Sequence, residues 1–588
     1  DGITLRAPQV QAALRDSFVV SEPLRLLAAP LVMLERGTVS IAPDKQGRPR
    51  SGEMIAAMLR DGTARLVVED ATLVVDLSAV GEDDLAPVQG TAPLLAAVTK
   101  LGFETLSLRR GVIVVKRASQ PSDVFSDVRL DLVHRKGSSL SATGTFDLQG
   151  RQLAIDTTLG LSVDKKSALR LPLKGSVKGS LLEATVTDGR LELGPNPRIT
   201  AAVAEVNTIG LRQCANWLGA LWPGERGLGA FRAKGQMELS DRSIAFQNAA
   251  FQMDGNEATG SLALTWGKAR PFVEGTLALK KLDLAAYVGA GTTEASRAGL
   301  SWLGIGSEPG VLSLPIIKHV DADVRISTDK ISAGPLTLGK SAASVAVNNG
   351  KLLADIAEVD LGGNAGAIGQ LTVDMNGARP RYVLRGKLES IETAALATAA
   401  VGLPVLAGRG DLAFDVAGTG ETVSELGKAL SGKVGLVLSE GGVLGLDIAQ
   451  LAAAASQKAE YPGWGSAARG RTSFDQLTAR CTLNGGVLSA DSVKLTIGER
   501  QMSATGRIEL TGRQLDGEIL LGKVPQSERP GEDAAATEGR VEVLGVRGDW
   551  SSPSVSYSTR PSRSARPSPP PGGDGIQPAT TAIGRHPG

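Results

Sequence analysis

The stretch His319-Val-Asp-Ala-Asp-Val-Arg-Ile-Ser-Thr328 alternates apolar and polar residues without a break. Successive side chains of a strand point to opposite faces, so Val320, Ala322, Val324 and Ile326 line one face and Asp321, Asp323, Arg325 and Ser327 the other. One face is dry and one is wet. The same alternation returns in Phe231 to Leu239, Val128 to Leu132, Leu140 to Leu148, Glu257 to Trp266, Leu412 to Val416 and Ile508 to Leu510. A chain that repeats a half-buried strand so often builds one long two-faced sheet. What the dry face covers is then the functional question.

The composition agrees with a meander of short strands. Among 588 residues there are 72 glycines, which fit tight turns, and only 3% aromatic residues. Lysine plus arginine (63) almost cancels aspartate plus glutamate (62), so no net field exists to draw in nucleic acid, and that class of partner is set aside. Cys214 and Cys481 belong to no CxxC or Cys/His spacing and read as buried thiols. Histidine occurs only at His134, His319 and His586. That argues against a His-rich metal site or a Ser/His/Asp centre, and no catalytic constellation, metal site or cofactor motif is found. Glu82-Asp83-Asp84 reads as an exposed acidic turn, and Gly441-Gly442 as a turn rather than a phosphate loop, because no Lys-Ser/Thr follows. No run of 18 apolar residues exists, so no transmembrane helix is expected; Leu24 to Leu34 is too short and Pro30 interrupts it. The chain opens on Asp1 rather than Met, which leads us to expect a start lost to processing or truncation, with room before it for a signal or anchor segment.

Along the chain, strands are predicted over Arg65 to Leu77, Thr105 to Val115, Asp127 to Val133, Ser139 to Leu148, Gln152 to Thr158 and Leu182 to Leu193. Asp61-Gly62, Arg110-Gly111, Gln149-Gly150 and Asp188-Gly189 are read as the turns between strands. A helix is predicted from Leu211 to Trp222, with Leu211, Cys214, Leu218, Leu221 and Trp222 on one stripe and Pro223-Gly224 as its stop. Trp302 and Leu303 suggest a short helix in an Ala/Gly-rich stretch, and Leu396 to Val405 a connector. Thr422 is placed to cap a helix through Leu430 with Glu425 completing a capping box, and Asp447 to cap Ile448 to Lys458. Beyond Tyr557 the chain carries seven prolines from Arg560 to Gly588 and reads as disordered. The resulting division is an N-terminal β-rich body at 1–206, a middle β-groove region with short helices at 207–400, a C-terminal region at 401–557 and a tail at 558–588.

An ordered series of segments resembles a known family. It runs Gly408-Arg-Gly-Asp-Leu-Ala-Phe-Asp-Val-Ala-Gly418, then Ala429-Leu-Ser-Gly-Lys-Val-Gly-Leu-Val-Leu-Ser-Glu-Gly-Gly-Val-Leu-Gly-Leu-Asp-Ile448, Arg471-Thr-Ser-Phe-Asp-Gln-Leu477, Leu483-Asn-Gly-Gly-Val-Leu488, Ala504-Thr-Gly-Arg-Ile-Glu-Leu510 and Val543-Leu-Gly-Val-Arg-Gly-Asp-Trp-Ser-Ser-Pro553. In order and spacing this resembles the C-terminal part of the AsmA family of bacterial envelope proteins, and the upstream blocks look like that family's more variable β-rich body. The resemblance extends to the related TamB and YhdP groups and to eukaryotic bridge-like lipid transfer proteins. It implies an elongated, curled antiparallel sheet with an apolar trough and a periplasmic body. It also implies an inner-membrane helix, which this chain lacks, and a part in outer-membrane biogenesis, conducting phospholipid between inner and outer membranes or their proteins.

On that reading the candidate groove residues are Val320, Val324, Ile326, Leu412, Phe414, Val416, Val434, Leu436, Leu438, Ile508 and Leu510. If about 30 strands stack at roughly 4.8 Å, the trough runs on the order of 140 Å. Small aliphatic side chains would leave it smooth and unselective. The same alternation also describes a filled core, as in a scaffold or a surface adhesin, although a solenoid adhesin would show a fixed short period that is absent. An outer-membrane barrel would show aromatic girdles, and an enzyme on a β scaffold finds no supporting motif.

Overall fold

The computed structural model describes residues 17–20, 24–28, 31–41, 54, 57–58, 61–76, 103–117, 120–135, 138–161, 170–192, 197–220, 222–223, 227–284, 287, 315–333, 336–394, 406–457, 461–510, 512–523, 540–549 and 552–561. Almost all of them lie in strands of one sheet that is not closed into a barrel. Neighbours in sequence are neighbours in space. Ser139–Leu148 pairs with Arg151–Gly160, that strand with Arg170–Gly179, and so on by local antiparallel steps to Arg540–Asp549 and Ser554–Pro561. Hydrogen bonding crosses residues 206 and 400 without a break, since Arg198–Thr208 pairs with Phe231–Leu239 and Arg381–Glu392 with Leu406–Thr419. The last strand also carries the sheet past Tyr557 to Pro561, so the strand claims residues assigned above to the tail.

Two steps depart from the antiparallel expectation. Ala64–Asp76 pairs in parallel with Phe103–Arg117, and Phe272–Asp283 with Asp321–Thr328 and, at its end, with Ile331–Ala333. A parallel pair needs a long connection to bring the chain back to its starting rim, and these two steps have residues 77–102 and 284–320 between their strands.

Dipeptides read as turns divide into two kinds. Gln149-Gly150 is a two-residue hairpin turn with both φ angles positive (49° and 77°), as a type I′ turn requires, and Asp254-Gly255 and Asn349-Gly350 repeat it. Arg110-Gly111 and Asp188-Gly189 instead lie inside strands, where the register shifts between Leu108 and Gly111 and between Val186 and Gly189. Gly441-Gly442 is also inside a strand, Ser431–Leu444, beside the register shift between Gly408 and Gly410. Asp61-Gly62 stands just before Ala64–Asp76, in the long connection from its antiparallel partner Leu31–Ile41, and is not a two-residue turn. A bulge inserts a residue, bends its strand and increases the local twist, and bulges recur at Ser126/Arg129, Ala201/Ala204, Phe246/Ala249, Ile356/Val359 and Leu388/Ile391. Repeated across neighbouring strands, such bends curl the sheet about its long axis. Sequence alone does not separate a glycine that turns the chain from one that creases a strand, because both need the same backbone freedom.

The helices are shorter than their apolar stripes suggest. The first spans Leu211–Trp217 and stops at a left-handed Gly219 (φ 89°). The following loop is tied down by Arg212, whose guanidinium donates to the carbonyls of Pro223 (2.6 Å) and Gly227 (3.0 Å), and by Asn216, which accepts from the Trp222 N–H (2.8 Å). This helix stands at a rim, where the Trp217 indole N–H donates to the Leu148 carbonyl at 3.1 Å. The second helix, Val423–Ala429, has the expected cap, with the Glu425 N–H donating to Thr422 Oγ1 at 3.2 Å, and the Glu425 carboxylate accepts from the Glu421 N–H at 3.0 Å. Asp447 caps the third, Ile448–Ser456, accepting from the Gln450 N–H at 2.9 Å. Glu82-Asp83-Asp84, Trp302-Leu303 and residues 396–405 lie outside the described residues.

Candidate functional site

Residues paired directly across strands share a face, so the register reads out which side chains stand in line. From Val324 the line passes through Val345, Ala354, Leu371, Leu384 and Val416, and goes on through Gly432, Leu483 and Leu488 to Ile508. Backward it passes Gly275, Leu262, Phe246, Met237 and Ala201. From Ile326 a second line crosses Ala343, Ile356, Gly369 and Gly386 to Phe414 and Val434, then Cys481, Ala490, Gly506, Gly517, Val546 and Val555.

Leu412 lies in a third line, which can be followed nearly end to end. It begins Val39, Val68, Leu108, Leu130, Gly144, Ile155, Val177, Ala184, Val206, Ala233, Phe251, Ala258, Leu279, Thr328, Ser341, Val359, Ala367 and Leu388. After Leu412 it passes Leu436, Ala479, Val493, Ala504, Ile519 and Leu544 to Tyr557. A line over about two dozen strands at roughly 4.8 Å apiece runs about 120 Å. No Asp, Glu, Lys or Arg stands in any of the three. The polar members close their own bonds: the Thr328 hydroxyl donates to the Lys330 carbonyl at 3.0 Å and the Ser341 hydroxyl to that of Gly339 at 3.1 Å. Burial pushes the Cys481 thiol up, and the charge of Asp491 adds to it, which keeps that position neutral.

The opposite face is ionic. Asp355, Gln370, Arg385, Asp415 and Lys433 stand in line there. The Gln370 amide donates to Asp355 at 2.6 Å and Arg385 meets Asp415 at 3.2 Å.

The dry face is not covered evenly. Between Arg198 and Met253 it packs upon itself, burying Ala204, Ala233, Met237, Phe246 and Phe251. At its C-terminal end it lies under the helix Ile448–Ser456, in a core that includes Leu438, Leu477, Leu544 and Val555. Between these two cores many dry side chains are half-exposed: Leu277, Val324, Ile326, Ile356, Leu412, Phe414, Val416 and Val434 are all intermediate, and Leu384 is 38% exposed, whereas Thr328 and Val359 are buried and Val347, Val373 and Met375 close a small core under Ile317. Phe414 lies over the bare backbone of Gly386, where a Cβ would stand 2.6 Å from its ring.

The predicted groove residues thus fall into three settings. Val324, Ile326, Leu412, Phe414, Val416 and Val434 come together in the half-exposed section. Leu436 packs against the C-terminal core and Leu438, at 0% exposed, is inside it. Val320 and Leu510 lie outside strands, before Asp321–Thr328 and after Arg500–Glu509, and Ile508 carries the Val324 line on to Leu515 and Gly548. Sequence reasoning passed over Ile356, Leu371 and Leu384; in Lys351 to Glu358 the adjacent pairs Leu352-Leu353 and Ile356-Ala357 blur the alternation. Among the described residues no three His, Cys, Asp or Glu are grouped to hold a metal, and no helix is long and apolar enough to cross a membrane.

A curled sheet with one ionic face and one apolar face, half-open over its middle strands, defines a β-groove protein. The AsmA family model matches residues 230–493, which contain the whole half-open section, and over those residues the chain is similar to that family. That match supports an envelope-related protein. No curated protein and no solved structure matches the chain.

Proposed function

We propose that the groove holds the acyl chains of phospholipid and conducts it between the inner and outer membranes of a bacterial envelope, with the body of the chain in the periplasm. The observation that carries this is the unbroken run of uncharged side chains from Val39 to Tyr557, flanked on the same face by half-exposed Val324, Ile326, Ile356, Phe414, Val416 and Val434. A core that served only stability would be closed along its length, whereas acyl chains need apolar side chains that still meet a neighbour. Each CH₂ that leaves water there contributes about 0.8 kcal/mol, so a chain lying across several lines is retained without any single strong contact. Headgroups would stay in water at the rims. On this reading the chain performs no catalysis and needs no cofactor or nucleic acid. An N-terminal helix outside this sequence would anchor it to the inner membrane, and the far end would meet the outer membrane or its proteins. The closed sections, which include an N-terminal core around Val39, Val68 and Leu108, favour a scaffold role for those stretches, with the lipid path confined to the half-open places between Met253 and Leu436.

Photo-crosslinking tests the reading. Photoreactive residues at Val324, Ile356 and Phe414, followed by lipid extraction, are expected to yield phospholipid adducts at all three, and residues on the ionic face at Arg325 and Asp415 none. A folded protein with adducts at none of the dry positions would overturn it.

A further inference from the structure

Downstream of Val434 the apolar lines continue, but their face is taken. The chain leaves the strand Ser431–Leu444, forms the helix Ile448–Ser456 and a short 3-10 turn at Gly465–Arg469, and re-enters the sheet at Thr472–Phe474. This excursion is a strap folded back over the dry face. Ile448, Leu451 and Ala455 are 4%, 0% and 1% exposed and pack in one core with Leu544 and Val555. Leu544 stands in the same line as Leu412, and Val555 in the same line as Phe414, so the helix fills the place that lies half-open upstream.

The fastenings of the strap are at its two ends. The Asp447 N–H donates to the Ala467 carbonyl at 2.9 Å and the Ile448 N–H to Thr472 Oγ1 at 3.0 Å. Tyr461–Pro462 pairs with Ser554 and Val555, and the Gly463 N–H donates to Pro553 at 2.6 Å. The helix body between meets the sheet through aliphatic side chains, two of its four buried residues being alanines, the same chemistry an acyl chain would present.

We propose that the helix Ile448–Ser456 is an end-stop seated where cargo would otherwise lie, so that lipid rides only as far as the strand Ser431–Leu444 and leaves the groove sideways there. The proposal rests on the lipid-groove reading and adds the point at which the path ends. Lifting the helix, with its two ends still fastened, would lengthen the path by the strands from Gln476–Asn484 to Ser554–Pro561.

Two conservative photoreactive replacements of aromatic residues separate the cases, Phe414 in the half-open section and half-buried Tyr557 at the end of the Leu412 line. The full chain would be incubated with vesicles of phosphatidylethanolamine and phosphatidylglycerol and irradiated. Adducts are expected at Phe414 and at least tenfold fewer at Tyr557. Leu451→Asp should raise the Tyr557 yield toward that of Phe414. A second variant, with residues 448–456 replaced by a Gly/Ser linker of equal length, guards against misfolding of the first, with hydrogen exchange of the flanking strands as the check on folding. Equal yields at the two positions in the parent chain would overturn the end-stop, as would adducts at Phe414 with none at Tyr557 in both variants. Adducts at neither position in the parent would instead overturn the lipid reading and the end-stop with it.

Discussion

Arg110 holds Asp70 across a parallel strand pair with two hydrogen bonds, 2.8 Å from Nε and 3.0 Å from Nη2, and both residues stand at left-handed backbone positions (φ 52° and 51°). Each is the extra residue of a crease in its own strand, and Asp127 (φ 43°) repeats the conformation on the next strand. The ion pair is exposed, so its electrostatic contribution is small; the backbone angle matters more. Asp70→Gly is expected to fold with little change in Tm, because glycine adopts that angle freely, whereas Asp70→Val should lower Tm by several degrees. Equal Tm values for the two variants would show that the crease carries no strain.

Acid should loosen the sheet through its wet face. Asp70 is held below the usual carboxylate range chiefly by its hydrogen bonds from Arg110, Asp131 by the Ser107 hydroxyl, Asp374 by the Asn376 backbone N–H and Glu518 by Arg560. A depressed folded pKa contributes stability that is present above the unfolded value, 3.8 for Asp and 4.5 for Glu, and is lost as pH falls through the folded value. Thermal melts should therefore be nearly flat above pH 5 and fall steeply below about pH 4. The Asp131→Asn variant should show a shallower acid slope; an unchanged slope would remove Asp131 from the account.

Gly386 and Phe414 form a size-matched pair on the groove floor, since a Cβ at 386 would stand 2.6 Å from the Phe414 ring. Gly386→Ala should destabilise by about 1–3 kcal/mol through overcrowding. Phe414→Leu in the same chain should recover most of that loss. Additive destabilisation in denaturant melts, with no recovery, would mean that the ring moves aside freely.

Leu384 and Val373 separate an open place from a closed one on the same dry face. Leu384 is 38% exposed, and Leu384→Asp should change stability by less than about 1 kcal/mol while cutting phospholipid crosslinking at Phe414 several-fold, because a charge then interrupts the line. Val373 is 1% exposed under the short turn Pro315–Lys318, and Val373→Asp should cost more than about 4 kcal/mol. Denaturant midpoints of comparable loss for both would indicate a filled core throughout.

The alternation of His319 to Thr328 was sufficient to read the two faces, because a period of two survives whatever packs on the strand. It was not sufficient to tell an open section from a closed one. Leu412 and Leu438 belong to equally regular strands, and only the helix folded back from residue 448 buries the second. The Ala-rich run after Asp447 was legible as a helix, but its seat depends on pairings such as Tyr461 with Val555, nearly a hundred residues apart, which no local pattern encodes. The parallel steps were hidden for the same reason. Gly111 and Gly189 misled because a crease and a turn ask the same thing of the backbone.

The strand order carries a consequence for how the chain reaches its fold. Where each strand pairs with the one just before it, the sheet can grow by addition as the chain emerges, with little loop entropy to overcome at each step. The two parallel joints break that sequence, since Phe103–Arg117 and Asp321–Thr328 can dock only after residues 77–102 and 284–320 have been supplied. Folding should therefore proceed in three blocks separated by two waits. Pulse-labelled hydrogen exchange should find the strands from Phe103 to Asp283 protected together before the joint at Asp321 closes, and simultaneous protection on both sides of that joint would refute the order.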